Sequence, residues 1–115
     1  MLKINQMELG PVQTNCYIIS SDLNECLIFD PGEESKRVVE FLKKKKLKPL
    51  AILLTHAHFD HIGAIDDLRD QFDIPVYLHR LEKDWLGRPN LNGSGKYPSL
   101  PDYRMREADR LLDQE

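Results

Sequence analysis

Three of the four histidines in this 115-residue chain fall within six positions, in the stretch LLTHAHFDHIGA from Leu53 to Ala64. His56 and His58 stand two apart. On a helix that spacing points two side chains far apart, whereas in an extended segment both fall on one side and their imidazoles can converge on a single ion. The i, i+4 histidine pair of helical zinc peptidases is therefore excluded. Asp60 continues the alternation, while Ala57 and Phe59 point the other way. His61 breaks it at the start of a helix, where its side chain can swing back beside Asp60. The stretch thus offers two donor pairs, His56/His58 and Asp60/His61. Neutral imidazole with one carboxylate suits Zn2+ best, with iron or manganese next.

These donors need a scaffold, and the chain on either side supplies one. LKINQMEL and the pair of apolar runs in NCYIISSDLNECLIFD read as three β segments ended by DPG at Asp30 to Gly32. A two-residue turn centred on Asp22–Leu23 would set Cys26 opposite Ile19 and Cys16 opposite Phe29. The sulfurs would then be about three residues apart along the ladder, on the order of 10 Å, beyond the reach of a disulfide. Both thiols therefore read as reduced, small apolar residues.

EESKRVVEFLKKKK reads as a helix with Val38, Val39 and Leu42 in a stripe, stopped by Pro49. The lysine run Lys43 to Lys46 reads as a solvated face that complements the helix dipole. LAILLT is a continuous apolar strand of the kind buried on both faces. The donor stretch therefore sits at the carboxyl end of a buried strand, where open α/β sheets place their ligands. Ile62, Ile65, Leu68 and Phe72 recur at helical spacing, IPVYLH is a further strand, and RLEKDWL a short helix. Residues 87–101, rich in Gly, Pro, Asn and Ser, read as a loop. Residues 102–115, with Met105, Ala108, Leu111 and Leu112 in one stripe, read as a last helix. Strands and helices alternate, so the class is α/β in a single domain over residues 1–115.

THAHFDH matches the T-H-x-H-x-D-H signature of the metallo-β-lactamase fold superfamily. TNCYII, LIFDPG and IGAIDDLRDQFDIPVYLH resemble the strands and helix that flank the signature in that family. The subgroup it most resembles is the glyoxalase II-like hydrolases (relatives of hydroxyacylglutathione hydrolase), which are thioesterases with one or two metal ions. The resemblance implies that His56 and His58 hold the first metal and that Asp60 and His61 hold the second. It also implies that a hydroxide between the ions attacks a carbonyl carbon, with Asp60 orienting it as the catalytic residue. Asp30 is either a partner that fixes an imidazole tautomer or a turn and N-cap residue. Thr55 is a weaker partner of the same kind, and His79 reads as a surface histidine.

The family's fold is an αββα sandwich of two similar halves, and the resemblance covers the first. The second half supplies a third histidine for the first metal, a bridging aspartate and a further histidine. After His61 this chain offers only His79. It is thus expected to be the N-terminal half of such a sandwich, weak in metal affinity and low or lacking in activity alone. Its open sheet face should be covered by self-association into a homo-oligomer.

Composition narrows the alternatives. Apolar residues at 41% and charged residues at 30% fit an ordinary soluble domain. The net charge of −3 and the lack of an aromatic-plus-basic patch argue against a superfamily nuclease acting on RNA. A non-catalytic metal-binding fragment and an iron-dependent oxygenase are further alternatives. No apolar run approaches a membrane span, and MLKINQMELG lacks the apolar core of a signal peptide, so the expected location is cytoplasmic. The expected substrate is a small thioester. Its identity is open, because the family's thiol-holding residues lie beyond Glu115.

Overall fold

The opening hairpin sets the sheet. The computed structural model describes residues 2–10, 14–55, 59–94 and 105–112. Strand β1 (Lys3–Leu9) pairs antiparallel with β2 (Thr14–Ser20), which pairs antiparallel with β3 (Glu25–Phe29). Between β2 and β3 the Asn24 amide donates to the Ser21 carbonyl at 3.1 Å and the Ser21 amide donates to the Glu25 carbonyl at 2.8 Å. Asn24 itself is left-handed, with φ 62°. This is a three-residue loop closed by a left-handed residue, one residue longer than the expected turn. The pairing shifts accordingly: Cys26 faces Ser20 rather than Ile19, and Phe29 faces Tyr17 rather than Cys16. Cys16 and Cys26 nevertheless remain free and buried.

Helix α1 (Ser35–Lys45) follows, with Val38 and Leu42 buried. It ends before Pro49, at left-handed Lys46, where the Leu47 amide donates back to the Leu42 carbonyl at 2.9 Å. Pro49 instead lies inside β4 (Lys48–Leu53), which runs parallel to β3. Cys26 pairs with Pro49 and Leu27 with Ala51, so Leu50 is an extra residue in a bulge. The expected burial on both faces holds for adjacent Ala51 and Ile52 and fails for Leu50, which the bulge leaves 43% exposed.

The helices α2 (Phe59–Ile62) and α3 (Ile65–Phe72) lead to β5 (Val76–His79), parallel to β4. After β5 the expected short helix is a single 3-10 turn, Arg80–Glu82. Within the expected loop over 87–101, Pro89–Asn92 form one helical turn, α4; residues 95–101 lie outside the described ones.

The expected final helix over 102–115 is not formed where the structure describes it. Residues 105–108 are irregular, and Arg110–Leu112 form a third parallel partner, β6, on the edge of β5. The free edge of β5 explains the difference. The Asp109 amide donates to the Val76 carbonyl at 2.9 Å, and the Asp109 carboxylate accepts from the Val76 amide at 2.8 Å. Cross-strand bonds override a helical periodicity that the isolated tail would follow.

The result is one six-stranded sheet in chain order β1 to β6. Helices α1 and α3 cover one face, over a core that includes Ile18, Ile28, Ile52, Leu68, Val76 and Leu78. Strand alternation sends Ile4, Ile19, Leu27, Tyr17, Phe29, Leu53 and Tyr77 to the other face. There Ile4 is 67% exposed and Tyr17 37%. Among the described residues no helix is long and apolar enough to cross a membrane.

Candidate metal centre

The parallel strands β3 and β4 end side by side, and the residues that follow each of them build the site. Asp30 comes directly after β3 in a left-handed conformation, φ 55°, which a short polar side chain tolerates better than most. Its amide donates to the Leu53 carbonyl at 3.1 Å. Asp30 is only 4% exposed, and its carboxylate is satisfied by the loop after β4. The Thr55 amide donates to Oδ1 at 2.8 Å and the Thr55 hydroxyl to Oδ2 at 2.5 Å. His61 Nδ1 stands 3.4 Å from the same Oδ2. The N-cap position of α1 belongs to Glu34, without a side-chain cap bond. Asp30 is therefore not the N-cap; its carboxylate ties the turn after β3 to the loop after β4 and stands beside the His61 imidazole.

Asp60 and His61 both lie on α2, so the helix starts before Asp60 and the expected extended alternation stops short of it; fully buried Ile62 pins this helix from below. The DPG turn holds this helix from the side. The Ala64 amide donates to the Pro31 carbonyl at 3.0 Å. A Cβ on Gly32 would overlap the Asp60 carbonyl oxygen and lie 3.0 Å from the carbonyl carbon. Gly32 is therefore required by close backbone approach. On the far side, Thr14 at the head of β2 donates its hydroxyl to Asp60 Oδ2 at 2.9 Å. The His61 Nε2 atom is 3.5 Å from that same oxygen.

His61 is thus set between two carboxylates. Its pKa is raised, chiefly by the hydrogen bond with Asp30, against the opposing effect of burial, and further by the charges of Asp30, Asp60 and Glu82. A proton held there would compete with any cation for Nε2.

Two donors bound at about 2.0–2.1 Å to one tetrahedral ion stand roughly 3.3–3.4 Å apart. The 3.5 Å between His61 Nε2 and Asp60 Oδ2 fits that chord. Asp30 on Nδ1 leaves Nε2 as the outward nitrogen, the tautomer a metal-binding imidazole needs. The pair could therefore hold a metal ion. His56 and His58, the other expected donors, lie outside the described residues, and among the described residues no group of three or more donors gathers.

The structure brings Asp60, His61, Asp30 and Thr55 together. His79 is set apart as a turn residue, its Nδ1 accepting from the Leu81 amide at 3.1 Å. Sequence reasoning missed Thr14 and Gly32. The glycine of DPG carries a signal, since a turn next to a donor helix invites close approach. Thr14 carries none.

This is an α/β protein whose short helix α2, set beside the ends of parallel strands β3 and β4, carries a braced carboxylate and imidazole. The chain belongs to the metallo-β-lactamase superfamily, whose family model matches residues 9–115. It is 51% identical over 112 residues to the Probable metallo-hydrolase YqgX of Bacillus subtilis, covering 97% of this chain and 52% of that protein. It is 32% identical over 112 residues to the hydroxyacylglutathione hydrolase GloC of Haemophilus influenzae, covering 95% and 52%.

Among solved structures, the BLEG-1 B3 metallo-β-lactamase matches at TM-score 0.91 and 52% identity, over all of this chain and 54% of that one. TTHA1623 in a di-iron-bound form matches at TM-score 0.75 and 33% identity, over 96% and 54%. The chain spans about half the length of the curated relatives it matches.

Proposed function

We propose that this chain carries a metal-binding site of a hydrolase that cleaves thioesters of the hydroxyacylglutathione type. His56 and His58 would hold one metal ion, and Asp60 and His61 a second. The observation that carries the reading is the braced Asp60/His61 pair on α2, whose donors stand 3.5 Å apart beside the ends of parallel strands. The likeness to GloC supports a thioester substrate.

Zinc is the first choice of metal on donor chemistry, and the di-iron relative keeps iron in view. When bound, such an ion lowers the pKa of water from 15.7 to about 7 and polarises a carbonyl. The chain's own residues do the rest. Asp30 holds the His61 tautomer, Asp60 orients the attacking water, and the DPG turn fixes the backbone of α2.

A second reading, hydrolysis of the strained amide of a β-lactam, is favoured by the likeness to BLEG-1. The reading includes a cytoplasmic location, in keeping with two free, buried thiols. It also includes self-association through the sheet face that carries Ile4 and Tyr17.

The test is metal content with activity. Zinc added to the purified chain should bind, and any hydrolysis of a hydroxyacylglutathione thioester should need it. Asp60→Asn should fold yet lose the second metal ion and that hydrolysis, because an amide is a poor ligand. A chain that binds no zinc, or an Asp60→Asn variant with full activity, overturns the reading. Faster turnover of a β-lactam than of the thioester selects the second one.

A further inference from the structure

We infer that Thr14 is a positioning residue for the metal ligand Asp60, holding the carboxylate oxygen that faces His61; this rests on the function proposed above. Thr14 opens β2 and is almost fully buried, at 9% exposure, so its hydroxyl is shielded from competing water. It donates to Asp60 Oδ2 at 2.9 Å, and that oxygen is also the one 3.5 Å from His61 Nε2.

A carboxylate oxygen offers two lone-pair directions. With the Thr14 hydroxyl on one, the other is directed for a cation shared with His61. The main chain of Asp60 is fixed independently by its contact with Gly32, and α2 by buried Ile62. Rotation of the carboxylate about the side-chain bonds is what those contacts leave open, and Thr14 closes it.

His61 has the same kind of support from Asp30, which stands 3.4 Å from Nδ1. The donor pair is therefore braced on both members, one from the head of β2 and the other from the end of β3. Partners of this kind typically contribute 10–100-fold to metal affinity.

The experiment is a zinc titration of the full chain against a chromophoric chelator, with Co2+ absorption as a second readout of ligand geometry. Thr14→Val keeps the shape and removes the donor. It should weaken zinc binding at the Asp60/His61 site by about 10–100-fold and change the cobalt spectrum. Thr14→Ser, which keeps the hydroxyl, should restore binding to within about threefold of the parent. Should Thr14→Val fail to fold by circular dichroism, Thr14→Ala takes its place in the same titration. A folded Val or Ala variant that binds zinc as tightly as the parent overturns the inference and leaves the proposed function standing. Equal loss in the Val and Ser variants reduces Thr14 to a packing role and overturns it too. A parent chain that binds no zinc overturns both.

Discussion

Gly32→Ala is the smallest change that should disturb the site without touching a donor. The added methyl would overlap the Asp60 carbonyl oxygen, with the carbonyl carbon at 3.0 Å and the His61 Cα at 3.7 Å. Ordinary carbon contacts are ~3.5–4.0 Å, and both clashing atoms are backbone, so the start of α2 must retreat on the order of 1 Å. Overpacking of this kind costs about 1–3 kcal/mol. The retreat also stretches the Ala64 to Pro31 bond, now 3.0 Å. Losing that bond adds roughly 1 kcal/mol. The sum, about 2–4 kcal/mol, lowers the Tm of a domain this size by roughly 10–20 °C. Because α2 carries both Asp60 and His61, zinc affinity should fall at least about tenfold as well. Thermal unfolding by circular dichroism, with and without zinc, reads both effects. A Gly32→Ala chain within about two degrees of the parent and equal in zinc affinity would refute the close-packing argument.

Further outcomes follow from residues remote from the donors. Burial and, less strongly, the Asp30 charge push the Cys16 thiol up to about 12, and burial pushes Cys26 up to about 11. Both should resist thiol reagents at neutral pH until the chain unfolds. Below about pH 9 the thiols are protonated in both states and stability is intact; as pH rises toward 12 the unfolded thiols ionise first and stability falls. A double Cys16→Ala, Cys26→Ala chain should lose that alkaline slope in denaturant titrations, and an unchanged slope would contradict the assignment. Sedimentation should show more than one chain per particle, and Ile4→Lys on the open sheet face should shift the mass toward monomer. A parent that is monomeric at high concentration would rule this association out.

The legible parts of this protein were those written locally. The helical spacing of Val38 and Leu42, the early hairpin and the place of His61 on a helix each depend on a few adjacent residues. The misses arise from longer range. A single left-handed residue, Asn24, lengthens the hairpin loop and slides β3 by one position, which turn-residue chemistry alone leaves ambiguous. The tail around Leu111 has helical periodicity, and only the vacant edge of β5 makes it a strand. Pro49 has no amide hydrogen to give, yet a bulge beside it accommodates it inside β4. Thr14 meets Asp60 across 46 positions, a pairing that needs the whole β2-to-α2 arrangement before it exists.

That last separation bears on how metal would act on folding. The four proposed donors lie within six consecutive positions, so they stay together when the chain unfolds. An unfolded chain that also captures zinc cancels part of the stabilisation that the folded chain would gain from it. The share that survives is the difference in affinity between the two states. Thr14 and Asp30 supply that difference, since neither can reach the donor segment in a disordered chain. Zinc should therefore raise the melting temperature by less than its affinity suggests, and the size of the rise is a gauge of the braces more than of the donors.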